Sequence, residues 1–435
     1  MVRRLWPLRH FTPLSLEESL ATFKGTKNKV YLKAYLSLLV EPVSIKDSRI
    51  KAFVKAERFD PADKENPDPR MIQARDPRYN LCLAKYLRPI EHAVYGLQRH
   101  GMPVIVKCMN PRQRAELVMK RWAQFDDPVC FSLDCSRWDK HVSAEVLQVE
   151  HDFYRSCFPG EFELSKLLEW QMDNVCTTSN RLRYRVRGGR MSGDMNTAVG
   201  NCVLMVAMVF VAMAILNVKR FEVVDDGDDC LVLVERSELM RLTTALPQVF
   251  LSFGQELKIE NIASSVQDIV FCQGKIVLGA DGWTFARNWR KVLSQSCCGT
   301  KHWNDPNMVR PMFGLIGDCE NAVHRGIPIL QAFATRLREL SCGYRCRLQH
   351  LDSSYQYRIS NYQLGDIKSL VAGEVTWEAR TVFEKAFGVD PSTQIAIENA
   401  LRAWTPTEHL RDVGEEFVGG WPQQLDPSIT NPTVL

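Results

Sequence analysis

Two mostly apolar runs, Phe221-Glu222-Val223-Val224 and Cys230-Leu231-Val232-Leu233-Val234, stand on either side of Asp225-Asp226-Gly227-Asp228-Asp229. β-Branched residues flanking a glycine-centred turn predict a hairpin. A third apolar run, Val129-Cys130-Phe131-Ser132-Leu133, ends at Asp134 and predicts a buried strand with a carboxylate at its tip. From Cys202 to Leu216 fifteen successive residues are apolar. That falls short of the ~20 needed to cross a bilayer and predicts a buried core helix, with no membrane span. Arg181, Arg183, Arg185 and Arg187 recur at every second position. On a strand they share one face, opposite Leu182, Tyr184 and Val186. Lys51, Lys55 and Glu57 alternate in the same way. Residues 380–410 show helical spacing. The end of the chain, from Gly414, is rich in Gly, Pro and polar residues and predicts a loose tail.

Four like charges at one turn repel strongly unless cations neutralise them. A solvated acidic loop is the plain alternative. A calcium-binding EF-hand does not fit, because its ligands spread over ~12 residues between two helices. Asp134, 94 residues before Asp228, is a candidate to complete a metal site with Asp228 and Asp229; taken alone it reads as a helix cap. Asp139 would lie in the following turn, near the ions but not on them. Between these segments, Gly188 and Gly189 break the chain, and Asp194 or Ser192 is placed to cap a helix. Thr197 and Asn201, four apart, share one face of that helix.

Asp134-x4-Asp139, Ser192-Gly193-x3-Thr197-x3-Asn201 and Gly227-Asp228-Asp229 resemble, in order, motifs A, B and C of viral RNA-dependent RNA polymerases. The resemblance is closest to the tombusvirus-like enzymes of positive-strand RNA viruses. Their motif A is similar to Asp134-Cys135-Ser136-Arg137-Trp138-Asp139-Lys140-His141-Val142-Ser143, with Trp138 where Phe is usual. Asp226 stands where that family often has Asn. The segment with Lys51, Lys55, Arg70, Ile72 and Arg75 resembles motif F, which implies that Lys55 and Arg70 hold the incoming triphosphate while Ile72 packs over the templating base. Gly254-Gln255-Glu256-Leu257-Lys258 resembles motif D and implies Lys258 as proton donor to pyrophosphate; a lone lysine is otherwise solvated surface. Phe271-Cys272-Gln273-Gly274 resembles motif E, which supports the nascent strand.

The resemblance covers roughly residues 25–340 and implies an α+β right-hand fold. Fingers would span residues 1–125 plus an insertion near 155–190. The palm, 126–275, would be an antiparallel sheet backed by helices. A mainly helical thumb would follow at 276–410, with a flexible tail at 411–435. It implies RNA-templated synthesis of RNA from NTPs, with Asp134, Asp228 and Asp229 holding two Mg²⁺, for which Mn²⁺ can substitute. Asp139, Ser192, Gly193, Thr197 and Asn201 would form the ribose pocket, with Lys51 also on the nucleotide. Arg75, Arg181, Arg183, Arg185, Arg187, Cys272 and Gln273 would touch RNA. A membrane-anchored viral replication protein is the implied partner, placing the chain in the host cytoplasm at membrane-associated replication sites. The alternative is an inactive RNA-binding replicase component.

Composition adds limits. With 435 residues, 45% hydrophobic, the chain can bury a large core and form two or three domains. A net charge of +4 means that a basic groove must come from local clustering. The first ten residues lack the apolar core of a secretory leader, and the family pattern leads us to expect dependence on a partner or origin in a longer product. Fourteen scattered cysteines fit reduced thiols. Neither Cys342, Cys346 and His350 nor Cys297, Cys298 and His302 matches standard zinc spacing. A reverse transcriptase would carry Tyr-x-Asp-Asp, and a cyclase-like transferase would not need the arginine strand.

Overall fold

The computed structural model describes residues 1–405 except residues 8, 56–67, 298–301, 304, 352–354, 356–358 and 360–363. Glu57, Arg58, Cys298 and the tail beyond residue 405 lie outside the described residues. Described strands are β1 (Ile50–Val54), β2 (Met71–Ala74), β3 (Gln98–Arg99), β4 (Met102–Pro103), β5 (Pro128–Cys135), β6 (Asp173–Thr178), β7 (Arg183–Arg187), β8 (Phe221–Asp225), β9 (Cys230–Glu235), β10 (Leu257–Ala263), β11 (Val270–Phe271), β12 (Gly274–Gly279) and β13 (Gly282–Arg287). With the helices around them they make an α+β chain. It divides into two units, Met1–Cys108 with Ala123–Ile262 and Met109–Trp122 with Ala263–Leu435.

The first unit carries two four-stranded sheets. One has the order β10-β5-β9-β8 and contains the expected hairpin, β8 pairing with β9 from Phe221 opposite Val234 to Asp225 opposite Cys230. Strands β8 and β9 are almost wholly buried, which explains their mostly apolar character. The other has the order β2-β1-β6-β7, with β1 parallel to β6 and the remaining pairs antiparallel. Helix Thr197–Ile215 packs on β8 and against helices Pro77–Tyr95, Ala144–Cys157 and Leu239–Ser252.

That central helix corrects two expectations. It has 19 residues, longer than its apolar run, so length and composition alone would let it cross a membrane; 72% of that window is nonetheless buried in this unit. Burial, not shortness, makes it a core helix. It begins after Asn196 with no side-chain cap. Ser192 and Asp194 do not cap it because both are committed elsewhere: the Ser192 hydroxyl to β2, the Asp194 carboxylate to Arg75.

The second unit joins the meander β11-β12-β13 to helices. Helix Pro111–Trp122 packs on β13, and Pro306–Val323 packs on Leu330–Leu340. Its core is led by Trp289, Phe313, Phe333 and Phe383. Residues 109–122 and 263–275, expected with fingers and palm, thus group with this C-terminal unit. Described cysteines are all free. Among the described residues no three His, Cys, Asp or Glu side chains are already gathered closely enough to hold a metal, Asp134, Asp228 and Asp229 included.

Candidate active site

The β5–β9 register runs from Pro128 opposite Glu235 to Leu133 opposite Cys230. One further step sets Asp134 opposite Asp229, so two carboxylates 95 residues apart meet at one end of one sheet. Asp228 and Asp229 are exposed at the hairpin tip. Partial burial, then the charges of Asp228, Asp226 and Asp134, push the Asp229 carboxyl up to about 6. Asp134 and Asp228 also both act on the buried Cys135 thiol, pushed up to about 12 mainly by burial. Carboxylates that crowd one another where a strand end meets a hairpin turn are oxygen donors of the kind Mg²⁺ takes.

The four acids of the turn turn out to be unequal. Asp225 is completely buried, and burial carries its carboxyl well above the carboxylate range. Asp226 pairs with Lys107, whose Nζ lies 2.9 Å from its Oδ1. Only Asp228 and Asp229 face outward. Gly227 has φ +98, in the region that favours glycine.

Beyond β5, a one-turn helix Trp138–His141 carries Asp139. Its backbone oxygen accepts from Arg190 N at 2.7 Å, tying motif A to the segment before the central helix. Asn201 lies close enough to Asp139 to favour its charged form. Burial chiefly, and next among the raising influences the Asp228 charge, push Asp139 up to about 6 against the pull of Arg190 and Asn201. An unfolded aspartate titrates near ~3.9, so the native state holds the extra proton between about pH 4 and 6. The stability this gives is complete below about 4 and is lost as pH rises through 6. Asp139→Asn should therefore be more stable than the parent by about 1–2 kcal/mol at pH 8, an advantage that vanishes near pH 4. Urea unfolding in Mg²⁺-free buffer at the two pH values checks this; an equal difference at both would refute it.

Thr197 Oγ1 donates to Met191 O at 2.9 Å. Ser192 Oγ accepts from Gln73 N at 3.1 Å, and Gly193 N donates to Gln73 O at 2.9 Å. A Cβ at Gly193 would come within 2.7 Å of Ala74 Cα and Gln73 O, so only glycine lets motif B lie against β2. On the β1–β2 pair Phe53 faces Ile72, and Lys55 N bonds Arg70 O at 2.8 Å, which sets the two expected phosphate contacts opposite each other. Lys51 neighbours Thr177 across β1–β6, and Thr177 faces Arg183 across β6–β7. Lys51 and the arginine strand thus share one exposed sheet face. Lys258 is exposed on β10, beside β5.

Some expectations change. Arg183, Arg185 and Arg187 share the exposed face of β7, but Arg181 lies in the preceding turn with φ +63. Arg185 pairs with Asp173, which reduces the bare charge of the strip. Arg75 does not join the RNA-facing set: it is buried, its guanidinium donating to Asp194 (2.5 Å), Ser48 O (2.7 Å) and Asn174 (2.6 Å). Cys272 and Gln273 form the β11–β12 turn with φ +49 and +62, in the second unit.

Sequence reasoning missed the polar network under the pocket. Arg190 is completely buried against Glu150, and its Nε donates to Asn201 Oδ1 at 3.0 Å. Asn196 donates to Glu150 at 2.7 Å, and Gln171 donates to Asn196 at 3.0 Å. The signal was present: Leu147, Glu150, His151 and Tyr154 follow the spacing of a buried helix face.

The chain belongs to the viral RNA dependent RNA polymerase family, whose model it matches over residues 1–409. It is similar to the RNA-directed RNA polymerase of Tobacco necrosis virus (strain A), 33% identical over 95% of this chain and 58% of the relative. The RNA-directed RNA polymerases of Tomato bushy stunt virus (strain Cherry) and Cucumber necrosis virus are each 35% identical over 97% of this chain and 50% of their own length. The chain spans about half the length of these curated relatives.

Proposed function

We propose that this chain is the catalytic region of an RNA-directed RNA polymerase that replicates a positive-strand RNA virus genome. One observation carries the reading: the register that pairs Leu133 with Cys230, so that the next residues, Asp134 and Asp229, come within range of each other's charge beside Asp228, with Asp139 and Asn201 close by. On this reading the molecule has the right-hand arrangement of fingers, palm and thumb, with the β10-β5-β9-β8 sheet as palm.

Asp134, Asp228 and Asp229 would hold two Mg²⁺, or Mn²⁺ in their place. Bound there, such ions supply charge neutralisation at the attacking 3′-hydroxyl and at the leaving phosphates. The chain's own groups do the rest. Lys51, Lys55 and Arg70 hold the triphosphate, arginine by its bidentate fork, and Ile72 packs on the templating base. Lys258 gives a proton to the departing pyrophosphate. Arg183 and Arg187 lie along the RNA backbone, where each phosphate contact makes binding salt-dependent. Cys272 and Gln273 support the nascent strand. Family membership alone supports a membrane-anchored viral replication protein as partner and a place at membrane-associated sites in the host cytoplasm.

Asp139 and Asn201, with Thr197, Ser192 and Gly193, recognise the ribose 2′-hydroxyl. A site built around that group rejects deoxy analogues because its polar atoms go unpaired. Asn201→Ala and Thr197→Ala should each narrow the NTP-over-dNTP preference by about 10-fold or more. Incorporation of labelled NTPs and dNTPs on a short RNA template, with and without a primer, measures this. Unchanged discrimination would remove the pocket assignment, and no incorporation by the parent protein would remove the polymerase reading.

A further inference from the structure

Lys107 lies outside every motif, yet it is built into the catalytic hairpin. The segment before it runs beside the end of β8: Asp225 N donates to Val104 O and Val106 N donates to Asp225 O, both at 2.9 Å, with Ile105 bridged in parallel to Asp225. Val104, Ile105 and Val106 are buried, so this added strand is fixed by packing as well as by hydrogen bonds. Lys107 is the next residue, and its side chain crosses directly to the turn. Its Nζ donates to the Asp226 carbonyl at 2.6 Å and lies 2.9 Å from the Asp226 carboxylate. A Cβ on Gly227 would come within 3.2 Å of the same Nζ, so the ammonium also lies close under the glycine.

We infer that Lys107 is a positioning residue for the Asp228–Asp229 tip, and that Lys107 and Asp226 act as a matched charge pair. This rests on the polymerase reading of the site. One bond restrains the backbone immediately before Gly227-Asp228-Asp229. The other cancels a carboxylate that would otherwise add a negative charge beside the three proposed ligands. Burial alone would lower the Lys107 ammonium, yet the neighbouring Asp226 charge holds it above its ordinary value, so it stays cationic. An aspartate at this place is therefore compatible with the site because its partner comes from a segment 119 residues earlier.

The pairing predicts coupling. Lys107→Gln keeps a donor for the Asp226 carbonyl but removes the ammonium that offsets the Asp226 charge beside the tip. Asp226→Asn leaves a surplus ammonium there instead. Each single change should lower kcat for nucleotide incorporation by about 10-fold with little change in the NTP KM, because a small misplacement of reacting groups costs rate. Each should also shift Mn²⁺ affinity measured by electron paramagnetic resonance titration, upward for the first and downward for the second. The double variant Lys107→Gln/Asp226→Asn should recover to within about 3-fold of the parent in both readouts. Thermal unfolding of the four proteins shows that each is folded; if Lys107→Gln is not, Lys107→Arg, which keeps the charge, takes its place and should retain activity. Singles at parental level, or a double no better than the worse single, would overturn the pairing. Failure of the parent to incorporate NTPs would strike the polymerase reading instead, while the Mn²⁺ titrations would still test the charge pair.

Discussion

Asp228→Ala is expected to reduce nucleotide incorporation by at least about 10³-fold, and Asp134→Ala to do the same, because each removes a charged oxygen ligand from a preorganised site. The two variants should keep parental RNA binding, including its fall with salt, since on the proposed reading Arg183, Arg187 and other basic residues supply that term. They should also be no less stable than the parent. Asp134, Asp226 and Asp228 all push the Asp229 carboxyl upward, so deleting one of those charges relieves repulsion at the hairpin tip. Loss of activity with unchanged or slightly raised thermal stability is the trade expected where a site is kept strained for function. Incorporation assays, filter binding across a salt series and thermal unfolding give the three readouts. Substantial residual incorporation by Asp228→Ala would end the polymerase assignment. A large loss of stability would mean that the carboxylates brace the fold instead of crowding one another.

Most of what the sequence disclosed is local. The hairpin at 221–235 was readable because apolar runs flank a glycine at short range, and the strand before Asp134 because a buried run stops at a charge. The α+β class followed from these elements, whereas bringing Asp134 to the hairpin rested on reading two distant acidic segments as one shared site. What the sequence could not disclose depends on partners far away. Arg75 reads as a surface cation until Asp194, 119 positions later, is found buried against it. The acids of Asp225-Asp226-Gly227-Asp228-Asp229 look equivalent until packing buries the first and Lys107 pairs with the second. The parallel pairing of β1 with β6 unites Lys51 and the arginine strand on one face, and no spacing rule contains that pairing. The start of the central helix was misplaced for the same reason: Ser192 and Asp194 are good caps in isolation, but tertiary partners took both.

The largest stability effect is expected at Glu150. Its carboxylate is completely buried, and although burial opposes ionisation, the Arg190 guanidinium and hydrogen bonds from Arg190 and Asn196 hold it below its usual range. Glu150→Ala would leave Arg190 charged, since arginine does not give up its proton, and without its counter-charge in the interior. Breaking a buried pair from one side costs about 3–5 kcal/mol, a large part of the about 5–15 kcal/mol that a domain has to spare. The neutral pair Glu150→Leu/Arg190→Met should be far less damaging than either single change, because it removes both charges and fills the space. The pair exists for more than stability, because Arg190 Nε also donates to the Asn201 side-chain Oδ1. Even where the double variant is stable, its Asn201 is unbraced, so its preference for NTPs over dNTPs should fall toward that of Asn201→Ala. Gly200→Ala reaches the same network by sterics: a Cβ there, on the residue before Asn201, would collide with the Glu150 carboxylate and the Arg190 guanidinium. Urea unfolding combined with dNTP discrimination separates the two roles. A Glu150→Ala protein within about 1 kcal/mol of the parent would show that Arg190 finds water or another partner, and a stable double variant with intact discrimination would show that Asn201 needs no brace.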